Sequence, residues 1–174
     1  MAVLADTRLT ILQILNEVNR KLGVPAFSDL SSNDAQTFLD YLNDIVAITS
    51  DYGDWQEART THTVTASTSV FRYLVNPSAA IKNIEEIAFQ DEDAAMRLAT
   101  IEQMRRWHRT SGTGSPRHWI INGVDNVTTG QPYIEVYPQP GTNENNKTFD
   151  ILYYKKPPLY TSSDGAVIPC FPST

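Results

Sequence analysis

Gly53 divides this chain into two periodicities, and that division constrains the fold more than any single motif. Upstream, apolar residues recur at the spacing that places them on one face of a helix. Downstream, β-branched and aromatic residues alternate with polar ones, the spacing of a half-buried strand. A chain that changes period in this way is expected to build helices first and sheet afterwards.

The first helix is predicted over about Thr7 to Leu22. Ile11, Leu15, Val18 and Leu22 form its apolar stripe, widened by Leu12. Gly23 suits the left-handed position after a helix, Val24 offers an apolar contact beyond it, and Pro25 blocks continuation. A second helix is predicted from about Asp34 to Tyr52, with Ser31, Ser32 and Asn33 offering cap oxygens that accept from its first amides. Phe38, Leu42, Ile45, Thr49 and Tyr52 are expected to face the core, widened by Leu39 and Val46. Asp40, Asp44 and Asp51 fall on the opposite side. Trp55 is expected to pack back on the two helices.

Beyond Gly53, Thr61–Thr65 and Val70–Leu74 read as strands, and the turn-like Ala66–Ser69 between them predicts a hairpin. Ile84–Phe89 alternates and is read as a strand, followed by the acidic turn Asp91–Asp93. Thr100 with Gln103 makes a capping-box pattern that starts a short helix to about Arg109. The last third carries three aromatic-rich strands, around Trp119, Tyr133–Tyr137 and Phe149–Tyr154, before Pro157 opens a Pro-rich tail. The order helix, helix, strands, helix, strands is that of an α+β domain with segregated parts. The expected arrangement is an N-terminal helical hairpin plus a third short helix, packed with an antiparallel β module and followed by an extended tail. Residues 1–156 are read as one domain, helical over 7–55 and 100–110 and β over 60–90 and 117–156. Residues 157–174 are the tail.

With 174 residues, 41% of them hydrophobic and 20% charged, the chain is of the ordinary globular class. Its formal charge of -6 argues against tight, sequence-independent nucleic-acid binding, which needs clustered cations to displace counterions. The exception is local: Arg105, Arg106, Arg109 and Arg117 outweigh Glu102 in one stretch. The lone Cys170 permits no intramolecular disulfide, which suits a reducing compartment. No signal-peptide pattern and no membrane span is read, so no membrane partner is expected.

Residues capable of chemistry are present without the partners that chemistry requires. His62, His108 and His118 have no second His or Cys at metal-ligand spacing. Cys170, flanked by prolines near the end of the chain, is poorly placed to stay within reach of a base. Thr110–Gly114 is Gly-rich but lacks the lysine of a phosphate loop and follows a helix. Asp40 and Asp44 share a helix face, as solvated faces commonly do; an alternative is a channel wall that repels DNA phosphates and lets a duplex slide. The run Arg105-Arg106-Trp107-His108-Arg109 suits phosphate contact, a helix-dipole complement, or pairing with an acidic surface of the same or another subunit. Trp55, Trp107, Trp119, Tyr133, Tyr137, Tyr153 and Tyr154 suit core or interface packing more than a sugar platform, because most alternate along strands. No catalytic, cofactor or metal residue is assigned.

Three features, in this order, resemble the head-to-tail adaptor proteins of tailed bacteriophages, which sit directly beneath the portal. They are the two helices ending in Asp51-Tyr52-Gly53-Asp54-Trp55, the Thr-rich hairpin expected over Thr60–Leu74, and the run from Gly114-Ser115-Pro116 through Tyr133-Ile134-Glu135-Val136-Tyr137-Pro138-Gln139-Pro140. The run continues as Tyr153-Tyr154-Lys155-Lys156-Pro157-Pro158-Leu159 and Ile168-Pro169. The loop at Gly112–Pro116 and the Asn-rich loop Gly141–Lys147 depart from that family's usual pattern.

The resemblance implies a structural virion protein without enzymatic turnover or cofactor. It implies a homo-oligomeric ring, usually of twelve copies, that docks on the portal, binds a tail or nozzle protein below and passes DNA without sequence-specific contact. Carried onto this chain, it puts Pro157, Pro158, Leu159, Tyr160, Ile168, Pro169 and Phe171 at the portal. Arg105, Arg106 and Arg109 are expected at a subunit interface, and Asp40, Asp44 and Asp51 on the channel side. The location implied is the head–tail junction of the virion, and the host cytoplasm during assembly. Rival readings are another neck or tail-completion protein, a small hydrolase and a carbohydrate-binding module.

Overall fold

A computed structural model describes residues 9–53, 58–127 and 129–166. The architecture is α+β, and the chain forms two compact units: residues 1–58 together with 157–174, and residues 59–156.

In the first unit, α1 (Ile11–Leu22) starts at a capping box on Thr10, and Thr7, the expected start, lies outside the described residues. The Thr10 hydroxyl accepts from the Gln13 amide at 3.4 Å, and the Gln13 side chain accepts from the Thr10 amide at 2.8 Å. The helix ends as its sequence predicts. Gly23 takes φ +69°, its N–H donates to the Arg20 carbonyl, and the Val24 N–H donates to that of Asn19. The buried stripe differs from expectation: Ile11, Leu15 and Asn19 face the core, while Val18 and Leu22 are exposed. The cause lies in the chain returning past Pro25. Asn19 donates to the Pro25 carbonyl at 3.1 Å, and Asn16 holds Phe27 through both backbone groups, at 2.7 and 3.0 Å.

Helix α2 (Asn33–Asp51) is capped by the Ser32 hydroxyl, which accepts from the Ala35 amide. Its core stripe is Ala35, Leu39, Leu42 and Val46, with Phe38 half-buried. Ile45 and Tyr52, expected in the core, are 55% and 85% exposed. The face that wins is the one that packs with Ile11, Leu15, Leu30 and Tyr160 in a single cluster.

Tyr160 brings the C-terminal segment into that cluster. Asn43 donates to its carbonyl at 2.9 Å and accepts from its amide at 2.8 Å, and the ring is 4% exposed. Past a 3₁₀ turn at Ser162–Asp164, the Gly165 carbonyl accepts from the Leu12 amide at 3.1 Å. Residues 157–166 are therefore held against the helices instead of running free. Trp55, Ile168, Pro169, Cys170 and Phe171 lie outside the described residues.

The second unit holds two sheets. One is antiparallel, ordered β1 (Arg59–Thr65), β7 (Thr148–Lys155), β3 (Ile81–Phe89). The other is ordered β2 (Arg72–Leu74), β6 (Pro132–Tyr137), β5 (His118–Val124), β4 (Arg97–Leu98), with β4 parallel to β5. The predicted hairpin of Thr61–Thr65 with Val70–Leu74 does not form. Thr60 pairs with Tyr153 in one sheet, and Tyr73 pairs with Ile134 in the other. The segment between β1 and β2 crosses between sheets, and Tyr73 fixes the crossing. Its buried hydroxyl lies 2.8 Å from the Val70 carbonyl and accepts from the Ser67 amide at 3.2 Å.

Alternate residues of both sheets meet in one core. Ile87, Phe89, Phe149, Ile151 and Tyr153 come from the first sheet, and Tyr73, Trp119, Ile134 and Val136 from the second. Phe149 joins them, its ring centroid 4.9 Å from that of Phe89 and 5.0 Å from that of Tyr73. Each such side chain contributes roughly 1.5–3 kcal/mol by leaving water. This burial holds together a sheet whose shortest strand has only two residues.

Candidate functional site

Helix α3 (Ile101–His108) follows β4 and carries the basic run. Its predicted capping box is present: the Thr100 hydroxyl accepts from the Gln103 amide at 3.2 Å, and the Gln103 side chain accepts from the Thr100 amide at 3.0 Å. Met104 is buried. Trp107 stacks on Tyr137 at 5.3 Å and meets His118 at 4.6 Å, and His108 meets the edge of Phe71 at 4.4 Å. These contacts press one side of α3 onto β5 and β6. Arg105, Arg106 and Arg109 are left on the other side, in solvent.

Two more exposed arginines are brought to each other by strand pairing. The Arg97 amide donates to the Arg117 carbonyl at 2.8 Å, so β4 and β5 begin side by side. Arg97, Arg117 and His118, with Met96, Pro116 and Glu92, line a cavity of about 370 Å³. Glu92 also accepts from the Ser115 hydroxyl. Burial, followed by the charge of Arg97, holds His118 below the ordinary histidine pKa; a backbone bond at Tyr137 opposes this, and Arg117 adds to the lowering. Burial alone lowers His62.

Among the described residues, Arg97, Arg105, Arg106, Arg109 and Arg117 have no side-chain hydrogen bond or ion pair. The other described arginines are engaged. Arg20 meets Glu17 at 2.7 Å, Arg59 meets Glu85 at 2.8 Å, and Arg72 lies 4.2 Å above the Tyr133 ring while donating to the Asn122 carbonyl. Five guanidinium groups without such a partner thus fall between residues 97 and 117, three exposed on α3 and its C-cap and two exposed where β4 and β5 begin, and each is free to seek an anion.

The other predicted site residues separate by burial. Asp40, Asp44 and Asp51 are exposed on α2. Pro158 and Leu159 are exposed, Pro157 is half-buried, and Tyr160 is a core residue of the helical unit. Sequence reasoning missed the exposed strip Tyr41, Ile45, Ile48 and Tyr52 because Ile45 and Tyr52 had been assigned to the core. The signal was available, since these four positions recur at helical spacing as a stripe of their own. It also missed β4, which is too short to show an alternation.

Among the described residues, no group of three or more His, Cys, Asp or Glu is placed to hold a metal ion. No described helix is long and apolar enough to cross a membrane. Two exposed surfaces therefore stand out among the described residues, a cationic one on the second unit and a mixed apolar and acidic one on α2 of the first.

No curated relative matches the chain. A family model described as SU10 adaptor protein matches residues 9–173, which takes in both units. The chain belongs to the SU10 adaptor protein family, a membership consistent with a phage head–tail adaptor.

Proposed function

We propose that this chain is the head–tail adaptor of a phage virion. It forms a homo-oligomeric ring that docks on the portal, joins the capsid to a tail or nozzle protein below, and lets DNA pass through its channel. The observation that carries this reading is the family match across residues 9–173. The adaptor needs no cofactor and turns over no substrate. It assembles in the host cytoplasm and remains at the head–tail junction.

Portal contact is assigned to the C-terminal segment. Leu159, 75% exposed, and the neighbouring Pro157 and Pro158 form its near end. Ile168, Pro169 and Phe171 form its far end, with Tyr160 as the anchor between them. Prolines lose less conformational freedom on docking than other residues, because φ is already set. Arg105, Arg106 and Arg109 are assigned to a subunit interface. The exposed aspartates Asp40, Asp44 and Asp51 suit either a channel wall or a subunit contact, and the apolar strip beside them favours the contact.

Mixing the purified protein with the portal of the same virus tests the reading by mass photometry. The expected outcome is a discrete mass increase corresponding to a complete set of copies on each portal. A portal mass unchanged at saturating protein would refute the adaptor assignment.

A further inference from the structure

The formal charge of this chain is unevenly divided. Residues 1–58 and 157–174 carry ten acids against three bases, and residues 59–156 carry ten acids against eleven bases. The first unit thus holds a net -7 and the second a net +1. Each unit also presents a surface that is incomplete by itself.

On α2 that surface is the strip Tyr41, Ile45, Ile48 and Tyr52, with exposures of 63, 55, 57 and 85%. At about 100° per residue, the strip lies between the core stripe Ala35–Leu39–Leu42–Val46 and the acidic stripe Asp40–Asp44–Asp51. Four large apolar side chains aligned in water are the pattern of a face that another molecule covers. Its chemistry also selects the cover. Tyrosine faces attract guanidinium groups, aliphatic side chains accept the methylene stems of arginines, and the adjoining carboxylates pair with their charges.

On the second unit the unengaged arginines at 97, 105, 106, 109 and 117 supply that complement. We infer that copies of this chain join head to tail, the arginine surface of α3, β4 and β5 on one copy seating on the α2 strip of the next. This inference rests on the ring reading above and names its contact. The two surfaces differ, so the contact is heterologous and propagates around a ring. A symmetric pairing of α2 with α2 would set aspartate against aspartate. Duplex DNA on the arginines would leave the apolar strip bare, and the aspartates beside the strip repel phosphate.

The test uses two full-length variants, Arg105→Glu with Arg109→Glu, and Asp40→Lys with Asp44→Lys. All four side chains are exposed, so both proteins should melt like the parent. Self-association is measured by sedimentation velocity over a concentration series, alone and with the portal. Each variant alone should associate at least about tenfold more weakly than the parent, as expected for reversed interfacial charges. Mixed in equal amounts they should associate again, because both kinds of contact then join opposite charges. Variants that associate like the parent would overturn the inference and leave the ring reading intact. A parent that never associates, even on the portal, would overturn both. An arginine variant that loses only duplex-DNA retardation, with association unchanged, would assign the surface to nucleic acid. Weak association that persists in the mixture would exclude this pairing of surfaces.

Discussion

At the residue scale, His118 links packing to pH. Burial first, and the charge of Arg97 on β4 next, hold its pKa below the usual histidine value against the opposing backbone bond at Tyr137. The unfolded chain therefore binds more protons than the folded one between the depressed value and about 6.5. Stability should be full above that window and fall as the pH drops through it. His62, also depressed by burial, adds to the same loss. Glu17, Asp29 and Asp164 have lowered pKa values through hydrogen bonds to Arg20, Ser31 and Thr161, so their losses come at more acidic pH. Urea midpoints at pH 7.5 and 5.5 measure the effect. The parent should lose stability over that range, and His118→Gln should lose less. An identical drop in both proteins would mean that His118 does not titrate in this window. The histidines were visible in the sequence, but their environment was not, because Arg97 reaches His118 only through the pairing of β4 with β5.

At the element scale, the ends of helices were more legible than their faces. Ser32, Thr100 with Gln103, and Gly23 act within a turn of their own positions, so local chemistry sets them; the Thr10–Gln13 box is equally local but is not among the expected caps. Gly23 gives a clean test. A Cβ there would meet nothing within 4 Å, so Gly23→Ala should cost only the left-handed backbone strain, about 1–2 kcal/mol. Thermal unfolding followed by circular dichroism at 222 nm should show the lower midpoint, and an unchanged midpoint would mean that the turn relaxes. Faces were misread because two stripes on α2 are apolar and only one is buried. Nothing local to α2 distinguishes Ile45 from Leu42; Tyr160, far along the chain, takes part in the cluster that buries Leu42. The expected hairpin failed for a related reason. The strands on either side of Ala66–Phe71 have good local patterns, yet each finds its partner much later in the chain, in β7 and in β6.

At the scale of the whole molecule, the C-terminal segment has two parts that two truncations should separate. Removing residues 157–174 takes Tyr160 from the helical core and the backbone groups that Asn43 holds. Loss of a large buried aromatic costs roughly 3–5 kcal/mol, enough to unfold a small helical unit. Removing residues 167–174 leaves that anchor in place. Circular dichroism should show helix loss only in the longer truncation, while portal docking should be lost in both. Docking by the shorter truncation at parental affinity would move the portal contact away from Ile168, Pro169 and Phe171. The sequence by itself determined the three helices, every strand but β4, the caps at Gly23, Ser32 and Thr100, the α+β class and the family, because periodicity, capping and motif order are written in neighbouring residues. Only the tertiary structure decided which strands pair, which face of α2 is buried, that Tyr160 is an anchor, and that five arginines stand unengaged in one region. Those outcomes depend on contacts between distant residues, as with Asn43 and Tyr160, which lie 117 positions apart. Local patterns cannot rank such contacts, because the free energy that selects them is gained only when the whole core closes.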